Sequence, residues 1–297
     1  MKPPAFAYHD PQTVEEACQL MSTLDNARLL AGGQSMMPML NMRFVMPDHL
    51  VDLGRVSALS AIEERPGALR IGAMTRQRDL EYSPLVRARC PLLADAIQWV
   101  GHRQTRNRGT IGGSLCQLDP SAELPSVCAA LDATLTVQSA RGTRTLAFAD
   151  FPAGYMTPSI EPDELLTHVE LPDWPAGHGH GFVEFARRHG DYAVVLAAAL
   201  LAVDAAGRIT RASVTLGGIG PAPVRVGAVE QALVGQVASA TLFRGATEAC
   251  RSIEAMEDVH APASYRQQLA VVMSRRALEA ALASIGSPAS STGAAAH

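Results

Sequence analysis

The chain has 297 residues, enough for two domains that each bury a core. Hydrophobic residues make up 47% of the sequence and charged residues 18%, a composition typical of folded globular proteins. The formal net charge is −4, so the chain lacks the basic excess of nucleic-acid-binding proteins. Composition therefore excludes a disordered chain and argues against nucleic acid as a partner.

The apolar segments are short and interrupted. The longest, residues 193–203, is about half of the roughly 20 residues that a membrane-spanning helix needs. The first residues lack the charged-then-apolar pattern of a signal peptide. We therefore expect a cytoplasmic protein without a membrane span.

The cysteine pattern argues against a metal centre within this chain. The five cysteines lie far apart, without C-x-x-C spacing and without histidines at zinc-binding spacing. An iron–sulfur cluster in this chain is not expected for the same reason. The five cysteines are Cys18, Cys90, Cys116, Cys128 and Cys250, and most of them should be small buried apolar side chains.

The first half of the chain predicts alternating helices and short strands. A capping box, Thr13-Val-Glu-Glu16, predicts a helix that runs to about Leu24. Short apolar runs predict strands at residues 28–31, 49–53 and 69–73. The next expected elements are a helix near 92–100, a polar and positively charged loop at 102–108, a turn at 119–120 and a helix at about 123–131.

The second half begins with an alternating pattern that predicts strands. A hairpin is expected from residues 134–139 and 143–148, and a further strand at 165–171. Residues 172–181 are rich in Pro and Gly and form the best domain boundary. Beyond it we expect three antiparallel strands at 182–187, 194–204 and 209–216, then helices near Val229 and Ala246 and a long helix opened by Ser264-x-x-Gln267.

Two similar phrases contain glycine pairs, Ala31-Gly-Gly-Gln-Ser35 and Thr110-Ile-Gly-Gly-Ser114. Glycine allows close approach of a ligand to the backbone, so consecutive N–H groups can converge on an anion. Two such loops could enclose both halves of a diphosphate. The alternative is that each pair only makes a tight turn, the commoner use of glycine. Neither phrase is a G-x-G-x-x-G or Walker sequence, so neither predicts a Rossmann or P-loop domain.

Five phrases together carry a family resemblance. They are residues 31–43, 106–114, 119–125, 190–193 and 216–225. Because it contains these phrases in this order, the chain resembles the FAD-binding medium subunit of the molybdenum hydroxylases. That family includes the flavin subunits of carbon monoxide dehydrogenase and xanthine dehydrogenase.

The resemblance implies an α+β fold in two domains. Residues 1–176 would form an FAD-binding domain of the p-cresol methylhydroxylase and vanillyl-alcohol oxidase type, with lobes at about 1–55 and 56–176. Residues 177–286 would form a domain like the C-terminal domain of the carbon monoxide dehydrogenase flavoprotein, with a three-stranded antiparallel sheet and helices. Residues 287–297 are small and polar enough to be a disordered tail.

The resemblance also implies residues that hold FAD. One side of the diphosphate would be lined by Ala31, Gly32, Gly33, Gln34 and Ser35, and the other by Thr110, Ile111, Gly112, Gly113 and Ser114. Gln34 stands where some members of the family have a histidine, so non-covalent FAD is expected.

Four further positions have two interpretations each. Glu123 matches a position near FAD hydroxyl groups, but it is equally typical of the first turn of a helix. Tyr192 matches a position near the isoalloxazine, or is a half-buried aromatic residue at a strand end. Arg106 and Arg108 could balance phosphate charge or contact a partner, although a solvated loop is the more usual interpretation.

The implied function is electron transfer within a complex. Partner subunits would be a large molybdopterin subunit, where substrate is oxidised, and a small subunit with two [2Fe–2S] clusters. The three kinds of subunit would form a hetero-oligomer such as a dimer of heterotrimers. The sequence offers no catalytic residue for a substrate and no metal ligand set. Two alternatives stay open: a self-contained flavin oxidase of the same fold, and an assembly protein without FAD.

Overall fold

The computed structural model describes residues 2–286. The expected tail at 287–297 lies outside the described residues. A small parallel sheet, a larger antiparallel sheet and a second antiparallel sheet follow one another along the chain, each with its own helices.

The first lobe has a three-stranded sheet in which every pair is parallel, in the order β1-β3-β2. Its elements are β1 (Ala7–His9), α1 (Val14–Thr23), β2 (Ala27–Leu30), α2 (Met36–Asn41) and β3 (His49–Asp52). The capping box forms as predicted. Thr13 Oγ1 accepts from the Glu16 N–H at 3.1 Å, and the Glu16 carboxylate accepts from the Gln12 N–H at 2.7 Å.

The second lobe has a five-stranded antiparallel sheet in the order β4-β5-β10-β6-β7. Two strands precede its helices: β4 (Ile62–Arg65) and β5 (Ala68–Gly72). The helices are α3 (Gln77–Tyr82), α4 (Pro84–Arg89), α5 (Pro91–Ala96), α6 (Arg103–Arg108), α7 (Ile111–Gln117) and α8 (Glu123–Ala130). The strands that follow are β6 (Thr134–Ser139), β7 (Gly142–Ala147), β8 (Pro152–Gly154), β9 (Thr157–Pro158) and β10 (Leu165–Pro172).

The last third of the described chain is an antiparallel sheet covered by helices. Its elements are β11 (Gly179–Phe185), β12 (Val195–Val203), β13 (Ile209–Gly217), β14 (Val224–Arg225), α9 (Gly227–Leu233), α10 (Ala240–Ala246) and α11 (Ala263–Ser284). The three predicted strands are present, and the two-residue β14 adds a fourth. The long helix begins one residue before the expected Ser264, after Pro262 and without a side-chain cap.

Strand β12 shows why the second lobe and the C-terminal sheet pack together. Because side chains alternate along a strand, Leu196, Ala198 and Leu200 face one side of the sheet and Val195 and Ala197 the other. The first group belongs to the apolar core of the second lobe, and the second group packs with α11. Both faces of β12 are therefore buried, which explains its nearly unbroken apolar sequence.

Helix α8 lies between these two layers, and every one of its residues is buried. It packs against α5 on one side and against β12 and β13 on the other. The N-terminus of α8, with Glu123, is therefore placed at the junction of the second lobe with the C-terminal sheet. Among residues 2–286, no helix combines the length and the apolar content that crossing a membrane requires.

Candidate cofactor-binding site

The first glycine pair lies in the loop that joins β2 to α2. Gly33 has a φ of +74°, a conformation that glycine adopts without strain. A Cβ on Gly32 would overlap the Arg108 carbonyl group and lie 2.9 Å from Gly109 Cα. Glycine is thus required here, because the loop packs directly on the backbone at residues 108–109.

The same loop offers unused hydrogen-bond donors. Within residues 2–286, the backbone N–H groups of Gly32, Gly33, Gln34 and Ser35 donate to no protein acceptor. The Gln34 side chain turns back, and its Nε2 donates to the Gly32 carbonyl at 3.3 Å. Consecutive free N–H groups next to a positive-φ glycine form the kind of concave donor set that binds anions.

The second glycine pair has a different structure from the expected loop. Thr110 is the N-cap of α7, and its Oγ1 accepts from the Gly113 N–H at 3.0 Å. The Ile111 N–H donates to the Thr75 carbonyl at 3.2 Å, and the Gly112 N–H to the Ala73 carbonyl at 2.8 Å. The tight-turn interpretation is therefore wrong for this pair. Its N–H groups are already satisfied by the protein.

Glycine is needed in this helical turn for packing. A Cβ on Gly112 would lie 2.7 Å from the Ala73 carbonyl oxygen, and one on Gly113 would lie 3.4 Å from Ala31 Cβ. The backbone of α7, without side chains at these two glycines, thereby approaches both Ala73, the residue after β5, and the first glycine loop. The structure brings the two phrases together, with Gly32 against Gly109 and Ala31 against Gly113.

Arg76 is a residue of this site that the sequence interpretation missed. Its Nη1 donates to the Arg108 carbonyl, and its backbone forms an antiparallel bridge with Thr110. Burial lowers the pKa of Arg76, and the positive charge of Arg108 lowers it further, although Asp52 acts in the opposite direction. Arg76 and Arg108 repel each other, and both lie beside the free N–H groups of the first glycine loop. Binding of an anion at this place is therefore favoured. No motif marks Arg76, so only its contacts reveal it.

The structure corrects the prediction for residues 102–108. They form α6 and not a loop, and Arg106 is only 8% exposed. Its guanidinium makes a two-pronged ion pair with Glu81, at 2.9 and 3.2 Å, and also donates to the Val100 carbonyl at 3.1 Å. Arg106 is therefore neither solvated nor free to bind phosphate, whereas Arg108 is exposed.

Glu123 occupies the first turn of α8 and is only 7% exposed. Burial raises the pKa of this carboxyl group to about 7. A hydrogen bond from its own N–H opposes the shift, as does the charge of Arg106, while the nearby Asp119 adds to it. A carboxyl group held in a dry place without a cation partner fits a position that accepts hydrogen bonds from a ligand.

Asp119 and Tyr192 lie close to Glu123. Asp119 Oδ1 accepts from the Ser121 N–H at 2.9 Å, so Asp119 stabilises the turn before α8. Tyr192 lies between β11 and β12 and is 67% exposed. Its phenol nevertheless has a raised pKa, first because of partial desolvation and then because of the negative charges of Asp119 and Glu123.

The C-terminal part closes one side of the site. The Gly218 N–H donates to the Pro120 carbonyl at 2.7 Å, which links the turn after β13 to the turn before α8. Arg266 of α11 is only 4% exposed, and its Nη1 donates to the carbonyls of Val194 and Gly218, at 2.6 Å each. This buried guanidinium fixes the residue before β12 and the turn after β13.

The donor set fits a dinucleotide with a diphosphate. Free N–H groups and two arginines suit the phosphates, the glycine backbone of α7 allows close approach, and a buried carboxyl group can accept from hydroxyl groups. Among the residues that the structure describes, no group of three His, Cys, Asp or Glu side chains is placed to hold a metal ion.

Two family models match the chain. Residues 4–174 match the FAD binding domain in molybdopterin dehydrogenase. The chain belongs to the FAD-binding medium subunits of molybdenum hydroxylases. Residues 180–281 match the CO dehydrogenase flavoprotein C-terminal domain. The predicted family and fold class are confirmed, whereas the predicted domain limits stay a prediction.

Curated relatives of this family cover nearly the whole chain. The alpha subunit of the 6-hydroxypseudooxynicotine dehydrogenase complex of Paenarthrobacter nicotinovorans is 40% identical over 284 residues, 95% of this chain and 96% of the relative. The carbon monoxide dehydrogenase medium chain of Hydrogenophaga pseudoflava is 34% identical over 285 residues, 95% of this chain and 99% of the relative.

Solved structures of the family have the same fold. A chain of the Hydrogenophaga pseudoflava carbon monoxide dehydrogenase that lacks the Mo-pyranopterin moiety matches with a TM-score of 0.93 and 36% identity, covering 96% of this chain and all of that one. A chain of quinoline 2-oxidoreductase from Pseudomonas putida 86 matches with a TM-score of 0.91 and 37% identity, covering 96% and 99%. This medium subunit is an oxidoreductase subunit with FAD as its cofactor.

Proposed function

We propose that the chain is the electron-transfer subunit of a molybdenum hydroxylase complex. FAD supplies a group that can accept electrons singly and release them in pairs. The electrons would come from the [2Fe–2S] clusters of a small partner subunit and go to an external acceptor. Substrate would be oxidised on a large molybdopterin subunit.

The free N–H groups of the first glycine loop carry this proposal. They lie against the backbone of residues 108–113 and beside Arg76, in a site that can bind a diphosphate without mobile side chains. On one side FAD would contact Ala31, Gly32, Gly33, Gln34 and Ser35. On the other side it would contact Thr110, Ile111, Gly112, Gly113 and Ser114.

The roles of these two sides differ. The first loop donates its N–H groups to the phosphates. The second segment contributes a close-packed wall and the Ser114 hydroxyl, because the N–H groups of Ile111, Gly112 and Gly113 are already bound. The positive charges of Arg76 and Arg108 would balance the negative charge of the phosphates.

Glu123 and Tyr192 complete the proposed site. Glu123 would accept a hydrogen bond from a hydroxyl group of FAD, because its buried carboxyl group forms no ion pair among the described residues. Tyr192 has an exposed ring, and the negative charge of Glu123 raises the pKa of its phenol. This ring would cover the isoalloxazine and exclude water.

The names of the relatives support partner subunits. One is a "complex subunit alpha" and another a "medium chain", which are parts of larger enzymes. The dimer of heterotrimers expected from the family stays a prediction.

Reconstitution tests the proposal against its two alternatives. The purified chain should bind one FAD, and the bound flavin should lose its visible absorbance when a reduced [2Fe–2S] subunit is added under anaerobic conditions. Substrate without partner subunits should leave the flavin oxidised. Reduction by substrate alone would instead identify a self-contained oxidase, and failure to bind FAD would identify an assembly protein.

A further inference from the structure

Ten residues of the first lobe, 37–46, expose much apolar surface, and we call them the methionine segment. Within residues 2–286, twelve large apolar or aromatic side chains are exposed, and four of them lie in this segment: Met37, Met42, Phe44 and Met46. Phe44 is 81% exposed, Met42 68% and Met46 61%. Exposed apolar residues are normal when they are scattered, whereas several of them in one place indicate an interaction site.

Hydrogen bonds hold the methionine segment in one shape. After α2 the chain turns back, and the Phe44 N–H donates to the Met39 carbonyl at 2.9 Å. Farther along, Asn26 Nδ2 donates to the Met46 carbonyl at 3.1 Å. The backbone positions of these apolar residues are therefore fixed before a partner arrives, which lowers the entropy cost of binding.

The methionine segment continues directly from the first glycine loop. The Met37 N–H donates to the Gly33 carbonyl at 3.1 Å, and the Met39 N–H donates to the Ser35 carbonyl at 3.2 Å. A Cβ on Gly33 would lie 3.2 Å from Met37 Cγ. The six residues of α2 rise only about 9 Å, so a protein bound to the methionine segment would lie close to the proposed FAD site.

This apolar segment contains one positive charge. Arg43, between Met42 and Phe44 in the sequence, is exposed and makes no ion pair within residues 2–286. The carboxylate of Asp48, five residues later, instead accepts from Asn26 Nδ2 at 2.9 Å. The segment therefore complements a partner surface that is apolar and carries a carboxylate to pair with Arg43.

The charge of Arg43 argues against a second copy of this chain as the occupant. In a symmetric dimer a surface packs on its own copy, so two Arg43 guanidinium groups would be brought together. Like charges that meet in an interface repel each other. Surfaces rich in Met and Phe are typical of permanent contacts between subunits, which favours a different chain that stays bound.

We propose that the methionine segment is the docking surface for the small [2Fe–2S] subunit, whose matching surface is apolar and carries an acidic residue opposite Arg43. This inference rests on the proposed function, in which that subunit donates electrons to FAD. Electron transfer needs the two redox groups close together, so this partner has to bind near the FAD site. The large subunit, where substrate is oxidised, has no such requirement.

Titration of the FAD-loaded chain with its purified small [2Fe–2S] subunit tests this inference. Phe44→Glu should weaken binding of the small subunit at least about 30-fold, because it places a charge in an apolar contact. Arg43→Glu should weaken it about tenfold, and high salt should reduce this effect. Val259→Glu is the matched control, since Val259 is exposed and lies far along the chain, before α11. All three variants should retain FAD.

A measurement without variants tests the same surface. Met42 and Met46 should react with hydroxyl radicals at least about threefold more slowly in the complex than in the isolated chain, as read by mass spectrometry. Equal rates in the two states would contradict the proposal.

The outcomes separate this inference from the proposed function. Unchanged binding of the small subunit by Phe44→Glu and Arg43→Glu would overturn the docking surface while leaving the FAD site and the proposed function intact. Variants that lose only the large subunit, or only self-association of this chain, would assign the segment to another occupant and also overturn the inference. Failure of the wild type to bind FAD, or an intact complex without [2Fe–2S] clusters, would overturn the proposed function itself.

Discussion

The two glycine pairs have almost the same sequence but different structures. Gly32 and Gly33 lie in an open loop whose N–H groups are free. Gly112 and Gly113 lie in the first turn of a helix, where Thr110 and Ala73 accept their N–H groups. One pair therefore offers donors, and the other offers a surface without side chains.

This difference shows that a glycine pair has no fixed role. The role of a glycine pair depends on whether a neighbouring side chain accepts hydrogen bonds from its N–H groups. Thr110 does so in α7, whereas Ser35 makes no side-chain cap bond at the start of α2. The first loop thus retains the donors that a diphosphate needs.

The largest effect is expected from Gly32→Ala. The new Cβ would meet the Arg108 carbonyl group, so the loop must move away from Gly109 and lose its geometry. FAD affinity should fall about 100-fold, equivalent to about 2.7 kcal/mol, as measured by fluorescence titration. The control is Gly245→Ala in α10, where an added Cβ meets nothing within 4 Å and should raise stability slightly. Unchanged FAD affinity in Gly32→Ala would refute the assigned role of the loop.

Gly112→Ala should act on stability more than on binding. Its Cβ would crowd the Ala73 carbonyl oxygen at 2.7 Å, and overpacking of this kind costs about 1–3 kcal/mol. Urea unfolding of the FAD-free chain measures this loss. The folded fraction should keep its FAD affinity within about tenfold. A variant of normal stability that has lost FAD would contradict the role of the second pair as a packing surface.

Arg76→Gln tests the charge beside the first loop. Removing one of two adjacent cations should weaken FAD binding about tenfold and reduce its dependence on salt. Titrations at low and high ionic strength measure both effects. Arg65→Gln, which removes an exposed arginine of β4 paired with Glu63, should change neither. Equal effects of the two substitutions would argue against a local role for Arg76.

Thr110→Ala should have the smallest effect. It removes the acceptor for the Gly113 N–H and should cost about 1 kcal/mol of stability, as is typical of an N-cap. Thr110→Ser should retain the cap and the stability. FAD affinity should change less than threefold in either variant. A gain in FAD affinity in Thr110→Ala would indicate that the freed Gly113 N–H reaches the phosphate.

Local signals made much of the fold predictable. The capping box at Thr13 and Glu16 marks the start of α1, and the alternating residues on either side of Arg141-Gly142 give the hairpin of β6 and β7. These elements depend on neighbours within a few residues. Sequence periodicity reports such short-range effects well.

The error at α6 and α7 arose from contacts between distant residues. Glycine disfavours a helix by about 1 kcal/mol, so Gly112-Gly113 predicts a loop. Thr110 was a usable cap signal, but the bonds to Ala73 and Thr75 that stabilise α7 cannot be read from the sequence.

The same limit applies to the charged groups of the site. Arg106 is buried because Glu81, in another helix, accepts its guanidinium. Arg76 has no motif, and it matters only because the fold places its guanidinium beside the Arg108 carbonyl group. The family resemblance located the glycine phrases, whereas the charges and ion pairs of the site could be identified only from the structure.

The bond from Gly218 to Pro120, held in place by Arg266, has a consequence for biogenesis. The ribosome makes Arg266 long after both glycine phrases, yet this residue holds the start of β12 and the end of β13 through the Val194 and Gly218 carbonyls. A nascent chain therefore has its phosphate-binding loop well before its pocket is sealed, so stable cofactor loading should follow release of the finished polypeptide.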